Sequence, residues 1–317
     1  MAKWYFFPLL LWTACAAPSR ETRRPSPSAE ARNILLDQGR YLSATVAGCA
    51  ACHSRRDWDE PGAPIITGTQ YTGGDIWDDQ VEWNGHKLPG RIQPPNLTPD
   101  PQTGLGGWSD EQLQAAIRQG IDKQGNPLFV MMPYPYFRSL RDEDLNAILA
   151  YLRSLPPIQR TTLPRELRLS PQEMQAEAAV LSQVASLPVS TPVEQGRYLV
   201  TVAACEACHT PLKDGRPDES RQMAGGVTAK SPFFNTVSAN LTSDRQTGLG
   251  KIDQAGFNRA MRQGIGSRGR QLSSLMPWLF YRNLTDNDLS VIWAYLKTLP
   301  PVHNDISALQ KQVRATP

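Results

Sequence analysis

The chain has 317 residues, of which 40% are hydrophobic and 20% are charged, and its formal net charge is +3 at neutral pH. No basic tract is interleaved with aromatic residues, so we expect no nucleic-acid partner. Beyond the first 17 residues, no stretch is long and apolar enough to cross a bilayer, so no later membrane span is predicted.

Residues 1–17 have the pattern of an export signal. The early cation Lys3 precedes an apolar run at 4–12, and small residues follow. The setting of Cys15 resembles a bacterial lipoprotein cleavage box, although Leu usually stands where this chain has Trp12. We therefore predict export to the periplasm or to the outer face of a bacterial membrane, with lipid attachment at Cys15. The alternative is ordinary cleavage after one of the two following alanines, which would remove Cys15.

The most informative motif is Cys-Ala-Ala-Cys-His at 49–53, which recurs as Cys-Glu-Ala-Cys-His at 205–209. Cys-x-x-Cys-His is the attachment signature of c-type haem. Residues three and four apart lie on one face of a helical turn, so two thiols can bind one porphyrin while the imidazole binds its iron. The sequence thus predicts two covalent haem c groups. The residues predicted to bind them are Cys49, Cys52, His53, Cys205, Cys208 and His209.

Cys-x-x-Cys also occurs in redox disulfides and in halves of zinc sites. Four of the five cysteines and two of the four histidines of this chain fall in the two motifs. A thioredoxin-like motif does not require the trailing His, and the two halves of a zinc site would be 156 residues apart. Both facts favour haem attachment.

The segments that follow the motifs are also duplicated. Asn96-Leu97-Thr98 recurs at 240–242, and both copies end in Leu-Pro-Pro. The offset between the copies is 156 residues at the motifs and 144 from Asn96 onward, so the first copy has 12 extra residues between His53 and Asn96. A period this long indicates two tandem domains. The predicted segments are a signal peptide at 1–17, a flexible tether at 18–30, a first domain at 31–158, a linker with a short helix at 159–186, a second domain at 187–302 and a C-terminal tail at 303–317.

The hydrophobic pattern of both copies is helical and predicts little strand. Ser109 and Gln112 form a capping pattern for a helix that we expect to end at Gly120. The last helix of each copy stops at the double proline. Thr285 can cap that helix in the second copy, whereas Arg141 stands at the same place in the first. We expect the first copy's helix to be less well fixed at its start.

Each copy has a helix, Cys-x-x-Cys-His, a long loop, Asn-Leu-Thr with Thr-Gly-x-Gly, a helix, Met-Pro and a terminal helix. This order resembles the class I cytochrome c fold. It is similar in particular to the multi-haem cytochrome c subunits that accept electrons from bacterial periplasmic dehydrogenases of alcohols, aldehydes and related substrates. The resemblance covers about residues 31–302. It implies an all-α fold of two tandem class I cytochrome c domains, each wrapped around one covalent haem.

The resemblance also implies the second ligand of each iron. In class I cytochromes the distal Met comes from the region after the attachment site, where Met132 and Met276 occupy matched positions before a proline. Met131 is the local rival. The implied iron ligands are His53, Met132, His209 and Met276. His86 and His303 are interpreted as solvated surface residues, and the Asn side chains of the Asn-Leu-Thr segments are expected to bond local backbone or a propionate.

Methionine ligation favours electron transfer over catalysis, because a thioether raises the reduction potential and leaves the iron no open position. We therefore expect a non-catalytic electron carrier between a dehydrogenase donor and a cytochrome or oxidase acceptor. The alternative is a di-haem enzyme such as a cytochrome c peroxidase, which would need one iron with an open or displaceable distal position.

Charge divides unevenly between the two copies. Residues 31–158 have 11 Lys and Arg against 15 Asp and Glu, a net charge of −4. Residues 187–302 have 13 against 9, a net charge of +4. Surface potential steers transient redox encounters, so the two copies are expected to dock different partners. The alternative is two ordinary solvated surfaces.

Overall fold

The computed structural model describes residue 1 and residues 28–179 and 187–315. The predicted export signal with Cys15, most of the tether and the end of the linker lie outside the described residues. Within the described ranges, no helix has the length and apolar character needed to span a bilayer. We call residues 28–179 the first half and residues 187–315 the second half.

Both halves are built around helices that follow the same order. The helices of the first half are α1 (Ala29–Tyr41), α2 (Cys49–Cys52), α3 (Asp110–Gln119), α4 (Tyr134–Phe137), α5 (Asp142–Ser154) and α6 (Pro171–Ala179). The helices of the second half are α7 (Pro192–Val202), α8 (Cys205–His209), α9 (Gln254–Gln263), α10 (Trp278–Tyr281), α11 (Asp286–Thr298) and α12 (Ser307–Ala315). A short π-helix at Leu42–Val46 continues α1.

The first and last helices of each repeat cross at a glycine. In the first half α1 packs on α5, and in the second half α7 packs on α11. A Cβ atom at Gly39 would lie 1.9 Å from the carbonyl oxygen of Ala147, and one at Gly196 would lie 1.9 Å from that of Val291. Only glycine therefore allows the two backbones to approach this closely.

The π-helix accommodates one extra residue. One residue more separates Tyr41 from Cys49 than separates Tyr198 from Cys205. The second half has an unbroken α-helix here, whereas the first half widens into the π-helix. Such a π-bulge is the usual way for a helix to absorb a single residue, and it keeps the attachment motif in the same place in both halves.

The helix ends agree with the capping patterns in the sequence. Ser109 and Gln112 form a reciprocal capping box at the start of α3, and Gly120 ends that helix in the left-handed conformation. The Thr285 side chain accepts a hydrogen bond from the N–H of Asp288 at the start of α11. Arg141 makes no capping bond at the start of α5, as expected.

The all-α prediction is wrong, because 10% of the structure is strand in three sheets beside 41% helix. The strands are β1 (Glu82–Trp83), β2 (His86–Lys87), β3 (Gly90–Arg91), β4 (Glu166–Leu167), β5 (Leu212–Lys213), β6 (Arg216–Pro217), β7 (Thr228–Ser231) and β8 (Phe234–Val237). Two hairpins arise from dipeptides suited to a type I′ turn. Asn84 and Gly85 join β1 to β2, and Asp214 and Gly215 join β5 to β6, all four with positive φ.

The largest sheet joins the two halves. Its strand order is β2-β1-β7-β8, and all neighbours are antiparallel. Strand β1 belongs to the long loop of the first half, and β7 to the corresponding loop of the second. Their register pairs Glu82 with Lys230 and Trp83 with Ala229.

Reciprocal contacts also join the halves. Helix α4 packs on α7, and α10 packs on the π-helix that follows α1, so each methionine-proximal helix touches the other half's attachment region. The Tyr41 hydroxyl donates to Asp288, and the Tyr198 hydroxyl donates to Asp144. Because equivalent residues make equivalent contacts in both directions, the interface has an approximate two-fold relation. Buried residues of both halves form one contiguous hydrophobic cluster.

Candidate haem-binding sites

The two attachment motifs form short helices that begin in the same unusual way. Gly48 precedes α2 with φ 66°, and Ala204 precedes α8 with φ 52°. This left-handed residue turns the chain sharply out of the preceding helix. The motif then forms one helical turn, which places both thiols and the imidazole on a single short element.

The four motif cysteines are free thiols, and Cys52 is the exposed one. Burial raises the pKa of Cys49 and Cys205 to about 12 and that of Cys208 to about 11. Redox-active dithiols and zinc ligands act as thiolates, which low-pKa cysteines supply. Burial therefore keeps these thiols protonated, unlike the low-pKa thiols of redox-active dithiols.

Each motif histidine is oriented by a backbone carbonyl. The Nδ1 atom of His53 lies 2.8 Å from the carbonyl oxygen of Pro95, and that of His209 lies 2.7 Å from the oxygen of Ala239. A carbonyl can only accept, so Nδ1 carries the proton and the Nε2 lone pair is free for a metal. Burial lowers the pKa of both imidazoles, which favours the neutral form that binds iron.

An asparagine clamp fixes the carbonyl that orients each histidine. The Asn96 amide donates to the carbonyl of Ile158 at 2.8 Å, and its oxygen accepts from the N–H and hydroxyl of Thr98. Asn240 makes the same bonds to Val302 and Thr242. Both asparagines are almost fully buried, at 1% and 3% exposure. The expected bonding to local backbone is present.

The two predicted methionine ligands lie in matched turns. Met132 and Met276 are half-buried and pack against the hydrophobic cluster, each one residue before the proline that caps a short helix. The N–H of each donates to the carbonyl three residues earlier, at 3.0 Å and 3.1 Å. Met131 is 38% exposed. Of the two neighbouring methionines, Met132 is therefore the one packed toward the interior.

These residues fit a c-type haem in both halves. Each half has two thiols on one helical turn, a neutral imidazole whose Nε2 is free and a thioether in the interior. A carbonyl bonded to the proximal imidazole increases its basicity toward iron and fixes its orientation. Both halves have the same set of residues, including the asparagine that follows the residue whose carbonyl orients the histidine. We did not predict the carbonyls of Pro95 and Ala239; the matched Asn-Leu-Thr segments were the only sequence signal for them.

The two attachment motifs are neighbours across the interface. Burial raises the pKa of Cys208, and the neighbouring Cys52 makes a smaller contribution in the same direction. The hydroxyl of buried Tyr281 donates to the carbonyl of Ala203. Burial raises the pKa of Tyr281, and Cys205, Cys208 and Cys52 make smaller contributions in the same direction. The fold thus places both candidate sites on the two sides of one junction.

Arg56 links the two candidate sites and has no counterpart in the second half. Its side chain is buried, and its guanidinium donates to the carbonyls of Gly62 and Ala63 and, at 2.9 Å, to that of Ser274. Ser274 lies two residues before Met276. Burial lowers the pKa of Arg56 to about 10, so the guanidinium stays charged at neutral pH. Sequence reasoning missed this residue.

The comparison with known proteins agrees with this site. Residues 37–156 match the family model for cytochrome c. Together with the relatives described next, this match confirms the predicted resemblance to cytochrome c subunits of bacterial dehydrogenases.

Three relatives illustrate the similarity over both halves. The cytochrome c subunit of an alcohol dehydrogenase (quinone) from Gluconacetobacter polyoxogenes is 28% identical over 294 residues, covering 86% of this chain and 58% of the relative. The gluconate 2-dehydrogenase cytochrome c subunit of Pantoea cypripedii is 27% identical over 287 residues, covering 85% and 60%. A diheme cytochrome c-type protein from Cereibacter sphaeroides is 28% identical over 269 residues, covering 80% and 83%. The chain thus spans less than two thirds of the length of the first two relatives.

Proposed function

We propose that this protein transfers electrons through two covalently bound c-type haems, from a periplasmic dehydrogenase to a downstream cytochrome or oxidase. The observation that carries the proposal is the duplicated set of oriented histidine, paired thiols and interior methionine. A bound c-type haem supplies one-electron exchange at its iron. The residues of this chain would attach each haem and position the ligands of its iron.

Each half has the same division of roles in this proposal. The first-half thiols Cys49 and Cys52 form the thioether links, the Nε2 of His53 binds the iron, and Met132 supplies the second axial ligand. The second-half residues in the same roles are Cys205, Cys208, His209 and Met276. The buried Nδ1 bonds to Pro95 and Ala239 support the histidine role, because they hold each ring in the required tautomer.

A peroxidase would need the two sites to differ at the distal position. Instead, Met132 and Met276 have matched turns, matched burial and matched prolines. If Met132 and Met276 both bind iron, neither site would have a position open to peroxide. The similarity of the two turns therefore supports an electron carrier rather than an enzyme.

The relatives named as cytochrome c subunits of alcohol and gluconate dehydrogenases support a dehydrogenase as donor. Export to the periplasm, with cleavage before Cys15 and attachment of a lipid to Cys15, completes the proposal and rests on the sequence alone. The division into cytochrome c domains at 31–158 and 187–302 is part of the same proposal.

Spectroscopy of the purified protein tests this function. The oxidised and ascorbate-reduced forms should both be low-spin, and the oxidised form should show the weak red band of a sulfur–iron bond. The protein should exchange electrons without measurable turnover of hydrogen peroxide. High-spin iron in the untouched protein, together with rapid peroxide turnover, would support the enzyme alternative.

A further inference from the structure

A cluster of apolar side chains lies on the outside of the junction between the halves. It comprises Trp58, Trp77, Phe233 and Phe234, with exposed Ile76 next to Trp77 in the chain, and we call it the aromatic surface. Trp58 and Phe233 stack with ring centroids 5.6 Å apart, and Trp58 meets Trp77 edge-on at 5.4 Å. Phe233 is 47% exposed and Ile76 is 46% exposed. Contiguous exposed apolar groups of this kind mark interaction sites more often than isolated ones do.

The aromatic surface is made by both halves. Trp58, Ile76 and Trp77 belong to the long loop at 54–95, which has the 12 residues that the second copy lacks. Phe233 and Phe234 are at the β7–β8 hairpin of the second half, which the four-stranded sheet joins to the first. The extra loop residues therefore take part in building a surface that neither repeat could form alone.

Acidic residues flank the two tryptophans of the aromatic surface along the chain, and we call them the acidic rim. The acidic residues next to the two tryptophans in the chain are Asp57, Asp59, Glu60, Asp78 and Asp79. Asp59, Glu60 and Asp79 are exposed. The exposed cations of this region are Arg55, which lies 3.9 Å from Asp75, Lys87 on β2 and Lys230 on β7, so acidic side chains outnumber them. An apolar contact area flanked mainly by side chains of one charge sign is typical of transient docking sites.

The aromatic surface is also directly linked to the candidate haem sites. The Trp58 ring lies over the Arg56 guanidinium at 4.3 Å, and the Trp58 indole N–H donates to Asp75 at 2.9 Å. Arg56 follows His53 by three residues and bonds the carbonyl of Ser274, next to the Met276 turn. A protein seated on Trp58 would thus contact the elements that hold both sites.

We propose that the aromatic surface docks a basic redox protein, one whose apolar contact area is ringed by Lys and Arg. The proposal rests on the proposed function, because it names a partner class for those same haem sites. Charge complementarity to the acidic rim selects the basic partner. The encounter moves one electron from the reduced protein to the oxidised one, and it forms or breaks no covalent bond.

Stopped-flow electron exchange with a small basic c-type cytochrome as the probe tests the proposal. The rim variant carries Asp59→Lys, Glu60→Lys and Asp79→Lys together. At low ionic strength we expect its second-order rate constant to fall by about tenfold or more, and the difference should shrink as salt is added. The matched control carries Glu30→Lys, Asp37→Lys and Glu219→Lys, three exposed acidic residues on other elements, and should keep most of the wild-type rate.

A second variant, Phe233→Ser, tests the apolar centre. Its exchange rate should stay several-fold below wild type even at high salt, because the lost contact is not electrostatic. A rim variant as fast as wild type, or a control slowed as much as the rim variant, would overturn the proposal. So would sedimentation data in which wild type dimerises and Phe233→Ser does not, since the occupant would then be a second copy of this chain.

Reduction by ascorbate separates this inference from the proposed function. If the purified protein has no haem that ascorbate reduces, the proposed function fails and the docking proposal falls with it. If ascorbate reduces wild type and both variants fully, but neither variant changes the rate of electron exchange with the probe, only the docking proposal fails. Equal ascorbate reduction and equal thermal unfolding also show that the variants are folded.

Discussion

At the scale of single residues, the sequence proposes the candidate ligands but does not predict the atoms that orient the two histidines. Cys-x-x-Cys-His identifies the thiols and imidazoles by spacing alone. The carbonyls of Pro95 and Ala239 have no such signal, because any residue can supply a backbone oxygen. What singled out their position was the buried asparagine one residue later, which recurs in both copies.

The two methionines give the first prediction. Met132→Ala and Met276→Ala should each remove about half of the red sulfur–iron band of the oxidised protein, because each would supply one of two iron ligands. Met131→Ala is the matched control and should leave the band intact, since Met131 is exposed. A band that survives Met132→Ala but is halved by Met131→Ala would reassign the ligand of the first half.

The asparagine clamp gives a stability prediction. Asn240→Ala would remove the amide that donates to the carbonyl of Val302, and it would leave the buried N–H of Thr242 without its acceptor. Its free energy of unfolding should fall by about 2–3 kcal/mol in a denaturant titration. Asn283→Ala, in the same Asn-Leu-Thr tripeptide but exposed, should change it by less than about 0.5 kcal/mol. Equal effects of the two changes would contradict the claim that the buried hydrogen bonds of Asn240 stabilise the fold.

At the scale of elements, helix ends were predictable and the small sheets were not. The capping box at Ser109 and the stop at Gly120 follow from local side-chain chemistry, and both are present. The hairpins were missed because helical periodicity in the rest of the chain decided the fold class. Asn84-Gly85 and Asp214-Gly215 were the available signals, since these dipeptides adopt the positive φ that a two-residue hairpin turn requires.

The left-handed residue before each motif gives the third prediction. Ala204 holds a conformation that favours glycine, as Gly48 does in the first half. Ala204→Gly should therefore raise the free energy of unfolding by roughly 0.5–1 kcal/mol, the strain relieved less the extra chain entropy of glycine. Ala203→Gly, one residue earlier with φ −74°, is the control and should lower it by roughly 0.5–1 kcal/mol. A loss of stability in Ala204→Gly as large as that in Ala203→Gly would disagree with this account.

At the scale of the whole molecule, the duplication was predictable but the relation between its copies was not. A sequence repeat predicts two similar folds, but it does not predict how those folds pack against each other. The approximate two-fold arrangement depends on side chains such as Tyr41 and Tyr198, which lie at matched positions of the repeat and reach into the opposite half. It also depends on Arg56, which the second half lacks.

The tyrosine contacts give the fourth prediction. Tyr198→Phe removes a hydrogen bond to Asp144, which is 2% exposed, whereas Tyr41→Phe removes one to the half-buried Asp288. Tyr198→Phe should lower the free energy of unfolding by about 1–2 kcal/mol, and Tyr41→Phe by less. Tyr295→Phe, on α11 and outside these contacts, is the control and should change it by less than about 0.5 kcal/mol. If none of the three changes alters the free energy of unfolding, the tyrosine contacts do not stabilise the junction.

The central claim is that each half holds one covalent haem, and the haem content of the denatured protein tests it most directly. Protein extracted with acid-acetone should retain two haems per chain. The Cys205→Ala, Cys208→Ala double variant should retain one, because the first-half residues remain intact. A single haem per chain in the unaltered protein, or haem that leaves with the acid-acetone, would contradict the claim.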